Sequence, residues 1–219
     1  MKNSNYHESG QRVKFHLNYL KGVIKEYAFC QEMAHGLELL EDMGLTPPLP
    51  DGKRCGNIAY RIPDGMIVSK SGRTTKKLKM NDFVKIIDFD KTLWQAKYIS
   101  DSPFIKPSSD TPLYWMALVE APLIMKWKKS PKVALHAHAF ATDKAAKKLN
   151  APISQTRTDL STPEDQNALF ELLKAYPYPH NKFYIRRDHG FFVLGETFQD
   201  VLDLITNAIK LNQYPEINS

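Results

Sequence analysis

Two histidines separated by one residue, His136 and His138, lie in the short apolar segment KVALHAHAF, which predicts a β-strand. Successive side chains of a strand point to opposite faces of a sheet, so the two imidazoles share one face, and Val133, Leu135 and Ala137 share the other. Neighbouring imidazoles can bind one metal ion. The alternatives for such a pair are core positions with satisfied ring nitrogens, or ordinary surface positions.

A third histidine, His189, stands in RRDHGFFVLG, which also predicts strands. Three neutral imidazoles with an open position are a common arrangement for catalytic zinc. Spacing along the chain does not establish that the three side chains meet. The remaining histidines have no comparable sequence context and are interpreted as structural or surface residues: His7, His16, His35 and His180.

Small polar residues occur beside glycine or in pairs at three places, which are Gly56–Asn57, Ser71–Gly72 and Ser108–Ser109. Each group could offer hydroxyl, amide and backbone N–H donors to an anion, and a helix N-terminus adds a favourable dipole. Turns and helix caps use the same residue types for structural reasons, so each group is weak evidence by itself.

Asp110 is the carboxylate of most interest because it follows the serine pair. Its local pattern indicates an N-cap or an acid in the first turn of a helix. The chemical alternative is a general base, or a carboxylate associated with a metal near the histidines.

The elements that must position these residues are indicated by hydrophobic spacing and turn residues. A helix is predicted over residues 12–43, and Gly44 is expected to cap it. Strands are predicted over residues 58–62, 66–69, 83–89 and 93–98, with Pro63-Asp64-Gly65 as a hairpin turn. The segment after the first helix is therefore expected to be antiparallel β-structure.

The second half of the sequence mixes helices and strands. Helices are predicted to open at residues 108–112, to run over 142–149 with an end at Asn150, to start at Thr162, and to include residues 201–209. Strands are predicted over residues 183–187 and 191–194 around His189. The mixture lacks a strict βαβ rhythm, which favours an α/β or α+β fold with helices on the faces of a sheet.

Length and composition indicate one soluble domain over residues 1–219, in which residues 1–19 form an N-terminal extension. The net charge of +6 comes from scattered basic residues, a pattern that favours a solvated surface or a phosphorylated metabolite over nucleic acid. Cys30 and Cys55 predict no disulfide framework, and neither a signal peptide nor a membrane span is predicted. A cytoplasmic location is therefore expected.

The order of the motifs resembles the class II aldolase/adducin family over roughly residues 20–212. The motifs are GN at 56–57, SG at 71–72, PSSD at 107–110, HAH at 136–138 and DHGFFVLGET at 188–197. The family includes fuculose-phosphate and rhamnulose-phosphate aldolases, ribulose-5-phosphate 4-epimerase and methylthioribulose-phosphate dehydratase. The histidine pair and the HG motif are the specific part of this resemblance.

The resemblance implies a role for each matched residue. His136, His138 and His189 would bind one divalent metal per chain, with Zn²⁺ expected and Fe, Co, Ni or Mn as alternatives. The substrate phosphate would be held by Asn57, Ser71, Gly72, Ser108 and Ser109. The implied fold is a three-layer α/β/α sandwich with a largely antiparallel sheet, and the implied assembly is a homo-tetramer with active sites at subunit interfaces.

The residue after the serine pair separates branches of the family. Aldolases usually carry glutamate there, whereas this chain has Asp110, and KPSSDTP at 106–112 is close to the pentose-phosphate 4-epimerases. Those epimerases also use an aspartate and a C-terminal tyrosine of a neighbouring subunit, for which Tyr214 has no supporting motif. The expected activity is retro-aldol cleavage of a phosphorylated ketose through a metal-stabilised enediolate, with Asp110 as acid/base. The alternatives are a 4-epimerase, a sugar-phosphate dehydratase or a non-catalytic adducin-like module.

Overall fold

A single sheet of eight strands runs through the computed structural model, which describes residues 13–25, 27–49 and 51–213. The strands are β1 (His16–Lys21), β2 (Asn57–Ile62), β3 (Gly65–Ser69), β4 (Phe83–Asp90), β5 (Gln95–Ser100), β6 (Val133–Ala137), β7 (Phe183–Arg186) and β8 (Gly190–Gly195). Their order in the sheet is β1-β5-β4-β3-β2-β6-β8-β7. Among these eight described strands, only β1 and β5 pair in parallel, so the expected largely antiparallel sheet is confirmed.

Six α-helices accompany this sheet within the described residues. They are α1 (Ala28–Asp42), α2 (Thr111–Trp115), α3 (Ala121–Ile124), α4 (Asp143–Leu149), α5 (Pro163–Ala175) and α6 (Phe198–Gln213). A π-helical turn over Met116–Glu120 joins α2 to α3, and a short 3-10 turn over Met80–Asp82 precedes β4. Pro122 lacks an N–H group, which removes one helical hydrogen bond at the junction with α3. No helix in the described part of the chain combines the length and apolar character needed to cross a bilayer.

Helices cover both faces of the sheet and create two hydrophobic clusters. The first cluster lies under α2, the π-helical turn and α5, and it includes Leu113, Tyr114, Leu169 and Leu173. The second lies under α1 and α6, and it includes Met33, Leu37, Val201 and Ile205. Strand β6 contributes to both clusters, Ala134 to the first and Leu135 to the second, as alternating side chains require. The expected three-layer α/β/α arrangement is therefore confirmed.

The predicted helix over residues 12–43 is wrong in its first half. Residues 16–21 form β1, and α1 begins only at Ala28. The reason is visible in the sequence, because Val13, Phe15, Leu17 and Tyr19 alternate with polar residues and pack on the first hydrophobic cluster. The first four residues of this strand overlap residues 1–19, for which an extension was expected. Residues 1–12 lie outside the described residues, as does Tyr214.

The remaining predicted elements are found close to their predicted positions. The hairpin around Pro63-Asp64-Gly65 joins β2 to β3. Strand β5 begins later than predicted, because Trp94 adopts a positive φ of 48° and lengthens the preceding turn. Helix α4 ends at Asn150, which is left-handed, and the Thr162 side chain caps α5 by accepting a hydrogen bond from the backbone of Asp165.

Candidate metal centre and adjoining pocket

His136 lies on an interior strand of the sheet, where β6 runs between β2 and β8. Its backbone is in register with Asn57 on β2 and with Phe192 on β8. The imidazole is completely buried on the sheet face opposite to Leu135. His138 follows the last residue of β6 and is partly exposed. The predicted shared face of the two histidines is therefore present, with one ring inside the protein and the other at its surface.

His189 reaches this position through the tight connection between β7 and β8. Arg186 pairs with Gly190 across the hairpin, and the backbone N–H of His189 donates to the carbonyl of Arg186 at 3.1 Å. A Cβ atom on Gly190 would lie 2.1 Å from the carbonyl oxygen of Ala137. Only glycine therefore allows β8 to approach the end of β6 this closely and to bring His189 beside the other two histidines.

The three imidazoles form one cluster. Their ring centroids are 4.6 Å (His136–His189), 4.8 Å (His138–His189) and 4.9 Å (His136–His138) apart, and one ring nitrogen from each lies within 4.8 Å of the others. The Nε2 atoms of His136 and His189 are 3.2 Å apart. Two nitrogens bound to one tetrahedral zinc ion are about 3.3 Å apart, since each Zn–N bond is about 2.0–2.1 Å. The donor set and its spacing therefore fit a divalent transition metal.

The protonation states of the buried histidines also suit metal binding. The Nδ1–H group of His136 donates to the carbonyl of Phe191 at 2.8 Å, which leaves the Nε2 lone pair facing His189. Burial lowers the pKa of His136, and burial together with the nearby charge of Arg186 lowers the pKa of His189 well below its ordinary value. Both rings are therefore neutral near pH 7, which is the form that binds a metal.

Asp110 lies at the start of α2 and is only 3% exposed. Asp110 occupies the N-cap position that its sequence pattern indicates, but its side chain makes no capping hydrogen bond. Instead, Oδ2 accepts from Nδ2 of Asn57 at 2.7 Å, and Oδ1 accepts from Nη1 of Arg186 at 2.8 Å. Each carboxylate oxygen keeps a second lone-pair direction for another donor.

The Asp110 carboxyl is ionised in spite of its burial. Burial alone would raise the pKa, but the interactions with His136, Arg186 and Asn57 outweigh it and lower the pKa to about 2. Near pH 7 the group is a fixed negative charge that accepts hydrogen bonds and carries no proton to donate.

Arg186 is a site residue that sequence reasoning missed. It is 4% exposed, and its guanidinium group bridges Asp110 to Asp165 in the first turn of α5. Burial by itself would lower the pKa of Arg186, but the two neighbouring carboxylates outweigh this effect and raise the pKa. The sequence did contain one indication of its role. Arg186 stands two residues after Tyr184 on a mostly buried strand, so the two side chains share a face, and a charge on a buried face requires a partner.

Tyr114 fixes the orientation of Asn57. The Tyr114 hydroxyl lies within hydrogen-bond distance of Asn57 Oδ1 and of the Asn57 carbonyl oxygen. Because the hydroxyl donates to the amide oxygen, the NH₂ group of Asn57 must face Asp110. One amide proton of Asn57 is thus committed to the carboxylate, while the resemblance implies that this residue also holds a phosphate.

One pocket brings together the residues that the sequence singled out. His136 lies buried behind it, and the others line it, namely Asn57, Ser71, Gly72, Ser108, Ser109, Asp110, His138 and His189. Elements distant in the chain supply them, since β2, the loop after β3, the start of α2, β6 and the β7–β8 turn all meet here. The arrangement joins a histidine cluster, a carboxylate and two pairs of small polar residues around one opening.

Three cations that the sequence did not predict line the same pocket near Ser71 and Gly72. Arg54 and Arg73 share the carboxylate of Glu41, and Lys70 pairs with Asp82 at 2.5 Å. Three positive charges against two negative ones leave this end of the pocket with a net positive charge. Such an end suits a negatively charged ligand group.

The comparisons with known proteins agree with this architecture. The family model described as "Class II Aldolase and Adducin N-terminal domain" matches residues 51–213. A comparison with curated protein sequences found no match to this chain.

Several solved structures share the fold at low sequence identity. An L-fuculose 1-phosphate aldolase has a TM-score of 0.60 at 14% identity, covering 86% of both chains. The L-fuculose-1-phosphate aldolase of Thermus thermophilus has a TM-score of 0.59 at 16% identity, covering 83% of this chain and 89% of its own. A sugar-phosphate aldolase of Thermotoga maritima has a TM-score of 0.59 at 13% identity, covering 84% and 93%. With the family model matched over most of its length, this chain belongs to the class II aldolase and adducin family.

Proposed function

We propose that this protein is a divalent-metal-dependent aldolase that cleaves a phosphorylated ketose by a retro-aldol reaction. The observation that carries the proposal is the meeting of His136, His138 and His189 with Asp110 at a pocket that three basic side chains also line. The structural neighbours named as sugar-phosphate aldolases support it.

The three histidines would hold the metal, for which we propose Zn²⁺. His136 is the most constrained of them, because its Nδ1 is bonded to Phe191 and its Nε2 faces His189. When bound, the cation would supply Lewis-acid polarisation of the substrate carbonyl. Partly exposed His138 marks the side of the cluster that is open to the pocket.

The part of the pocket around Ser71 and Gly72 would hold the substrate phosphate. Ser71, Gly72, Ser108 and Ser109 line it together with the unbalanced positive charge described above. Gly72 has a φ of 68°, a conformation that turns the backbone sharply after Ser71. Hydroxyl and backbone donors beside net positive charge are suited to a phosphate group.

Asp110 would be the proton acceptor of the reaction. It is ionised and held between Asn57 and Arg186, and it lines the pocket with His138 and His189. In a retro-aldol cleavage, the hydroxyl on the carbon that becomes the aldehyde must lose its proton. A fixed carboxylate within hydrogen-bond reach of that hydroxyl can accept it and later return it.

A pentose-phosphate 4-epimerase is the second candidate, favoured by the aspartate at position 110 in KPSSDTP. The two reactions share the cleavage step and differ in the fate of the aldehyde. In an aldolase the aldehyde leaves, whereas in an epimerase it rotates and recondenses. A dehydratase would instead release water and leave the carbon chain intact.

Product analysis separates these activities. Metal-loaded protein should be incubated with L-fuculose 1-phosphate and with ribulose 5-phosphate, and the products resolved by mass and by sugar analysis. Two fragments indicate an aldolase, a new pentose phosphate of unchanged mass indicates an epimerase, and a product lighter by one water indicates a dehydratase. Absence of turnover by metal-loaded protein on a panel of phosphorylated ketoses would contradict the proposal and favour an adducin-like module.

We further propose a homo-tetramer in which a neighbouring subunit completes the pocket, as the family resemblance implies. Light scattering coupled to size-exclusion chromatography measures the mass of the assembly directly. A monomer at the concentration at which the protein turns over substrate would contradict this part of the proposal.

A further inference from the structure

We propose that Arg186 is a positioning residue that fixes the Asp110 carboxylate relative to the three histidines by tying it to Asp165. The claim that Arg186 positions Asp110 rests on the structure alone, whereas the effect of this positioning on turnover rests on the proposed function.

The geometry of the guanidinium group supports this role. Arg186 ends β7, and its side chain is 5% exposed. Nη1 donates to Oδ1 of Asp110 at 2.8 Å, and Nη2 donates to Oδ2 of Asp165. The planar fork of an arginine sets the direction of both hydrogen bonds at once, which the ammonium group of a lysine cannot do.

Asp165 is itself a firm anchor. Its Oδ1 accepts from the hydroxyl of Thr158 at 2.8 Å, and its Oδ2 accepts from the backbone N–H of Ser161 at 3.3 Å. It also stands in the first turn of α5, which Thr162 caps. Helix α5 therefore fixes the position of Asp165, Asp165 fixes the guanidinium group of Arg186, and Arg186 fixes the Asp110 carboxylate beside the histidines.

The second oxygen of Asp110 is restrained from the other side. Asn57 donates to Oδ2 at 2.7 Å and is itself oriented by Tyr114. With Arg186 on Oδ1 and Asn57 on Oδ2, rotation of the carboxylate about its own axis would break a hydrogen bond at each oxygen. Both restraints act on a buried carboxylate, so water cannot replace them easily.

Stability alone is a poor explanation for a charged group at this place. A buried ion pair loses much of its Coulomb energy to desolvation, and apolar side chains of similar volume often replace it at little cost. What an apolar side chain cannot supply is a directed hydrogen bond to a carboxylate in the pocket. The structure therefore assigns to Arg186 the orientation of Asp110.

The first experiment measures the orientation of Asp110 directly and needs no substrate. Crystal structures should be determined for Arg186→Lys and for the double variant Arg186→Met with Asp165→Asn, which removes one charge of each sign. Arg187→Met is the matched control, because this neighbouring arginine pairs with the exposed Asp143. We expect Asp110 to rotate or to occupy several rotamers in the Arg186 variants and to stay unchanged in the control. An unchanged Asp110 in both Arg186 variants would overturn the proposal.

The second experiment measures the kinetic consequence. In the double variant of Arg186 and Asp165 we expect kcat to fall about 100-fold, with KM and metal content nearly unchanged, because misplacement of a reacting group by about 1 Å has an effect of this size. The triple variant that also carries Asp110→Asn should have the same kcat as the single variant Asp110→Asn. If kcat of the triple variant were lower than that of Asp110→Asn by the whole factor that the double variant loses, the arginine would act independently of Asp110. If wild-type protein binds no metal and turns over no phosphorylated ketose, the proposed function fails, and the crystal structures alone decide the role of Arg186.

Discussion

The Nε2 atoms of His136 and His189 lie 3.2 Å apart although the two residues are separated by 53 positions in the chain. Strand β6 carries the first imidazole, and the turn that leads into β8 carries the second. The hydrogen bond from Nδ1 of His136 to the carbonyl of Phe191 on β8 fixes the His136 ring relative to the strand that follows His189. The cluster is therefore organised by strand pairing, which lowers the conformational cost of binding a ligand.

Replacement of His136 by alanine should remove the metal. Purified wild-type protein is expected to hold close to one divalent ion per chain, whereas the variant should lose it on dialysis and lose turnover by about 100-fold or more. Elemental analysis of both proteins measures this. His180→Ala is the control because this histidine is exposed and lies outside the cluster. Equal metal content in wild type and His136→Ala would contradict the site.

Replacement of Gly190 by alanine should separate β8 from β6 and disturb the cluster. The new Cβ would meet the carbonyl oxygen of Ala137 at 2.1 Å. We expect a loss of about 1–3 kcal/mol in the free energy of unfolding, as for other overpacked sites, together with weaker metal binding.

Gly195→Ala is the matched control for this variant, because Gly195 ends the same strand. There the added Cβ would meet Val201 at 2.7 Å and Thr197 at 2.9 Å. Denaturant unfolding and metal titration should show a stability loss in both variants but weaker metal binding only in Gly190→Ala. Wild-type metal affinity in Gly190→Ala would mean that the close approach of the strands does not position the histidines.

The Asp110 carboxylate should contribute stability that is lost in acid. Its folded-state pKa of about 2 is below its ordinary value of 3.8, so the unfolded chain binds more protons between these pH values. The contribution is therefore present above pH 4 and disappears as the pH falls from about 4 to 2. A shift of this size corresponds to about 2 kcal/mol.

The measurement is the free energy of unfolding of metal-free protein between pH 5 and 2, for wild type and for Asp110→Asn. The difference between the two proteins should shrink as the pH falls through this window. A difference that stays constant with pH would show that Asp110 has an ordinary pKa in the folded protein.

Local patterns were sufficient for most elements, whereas the grouping of the candidate site residues came from the resemblance to a family. The alternation around His136, the glycine after His189 and the turn at Pro63-Asp64-Gly65 each report structure within a few residues. Strand β1 was missed because the apolar spacing of α1 was extended backwards over a segment with a period of two. Its parallel pairing with β5 is a contact between distant segments, which no local pattern specifies.

Arg186 was missed for a related reason. Its partners Asp110 and Asp165 are 76 and 21 residues away, and in the sequence it is one of two adjacent arginines that suggest a solvated surface. The structure shows that the two arginines differ, since one is buried and the other pairs with exposed Asp143. Which charge is buried depends on the packing of α5 against the sheet, and that packing is set by tertiary contacts.

Replacement of Ser71 by alanine should weaken the binding of phosphorylated substrate without affecting the metal. Hydrogen bonds to charged groups contribute about 1.5–3 kcal/mol, so KM should rise about 10- to 100-fold while kcat and metal content change little. The corresponding unphosphorylated ketose serves as the control substrate, and its kcat/KM should be the same in wild type and variant. Equal losses for both substrates would place the hydroxyl away from the phosphate.

Replacement of Asp110 by asparagine tests the proposed proton acceptor. The amide keeps the size of the side chain and can still accept a hydrogen bond from Arg186, but it cannot take up a proton. We expect kcat to fall by about 100- to 10,000-fold, the range typical of general acid–base groups, while the affinity for a phosphorylated substrate analogue changes far less. Single-turnover kinetics and calorimetric binding of the analogue separate the two quantities. Parallel losses in turnover and in binding would argue that Asp110 shapes the pocket instead, because the chemical role requires that the loss be confined to the step in which a proton moves.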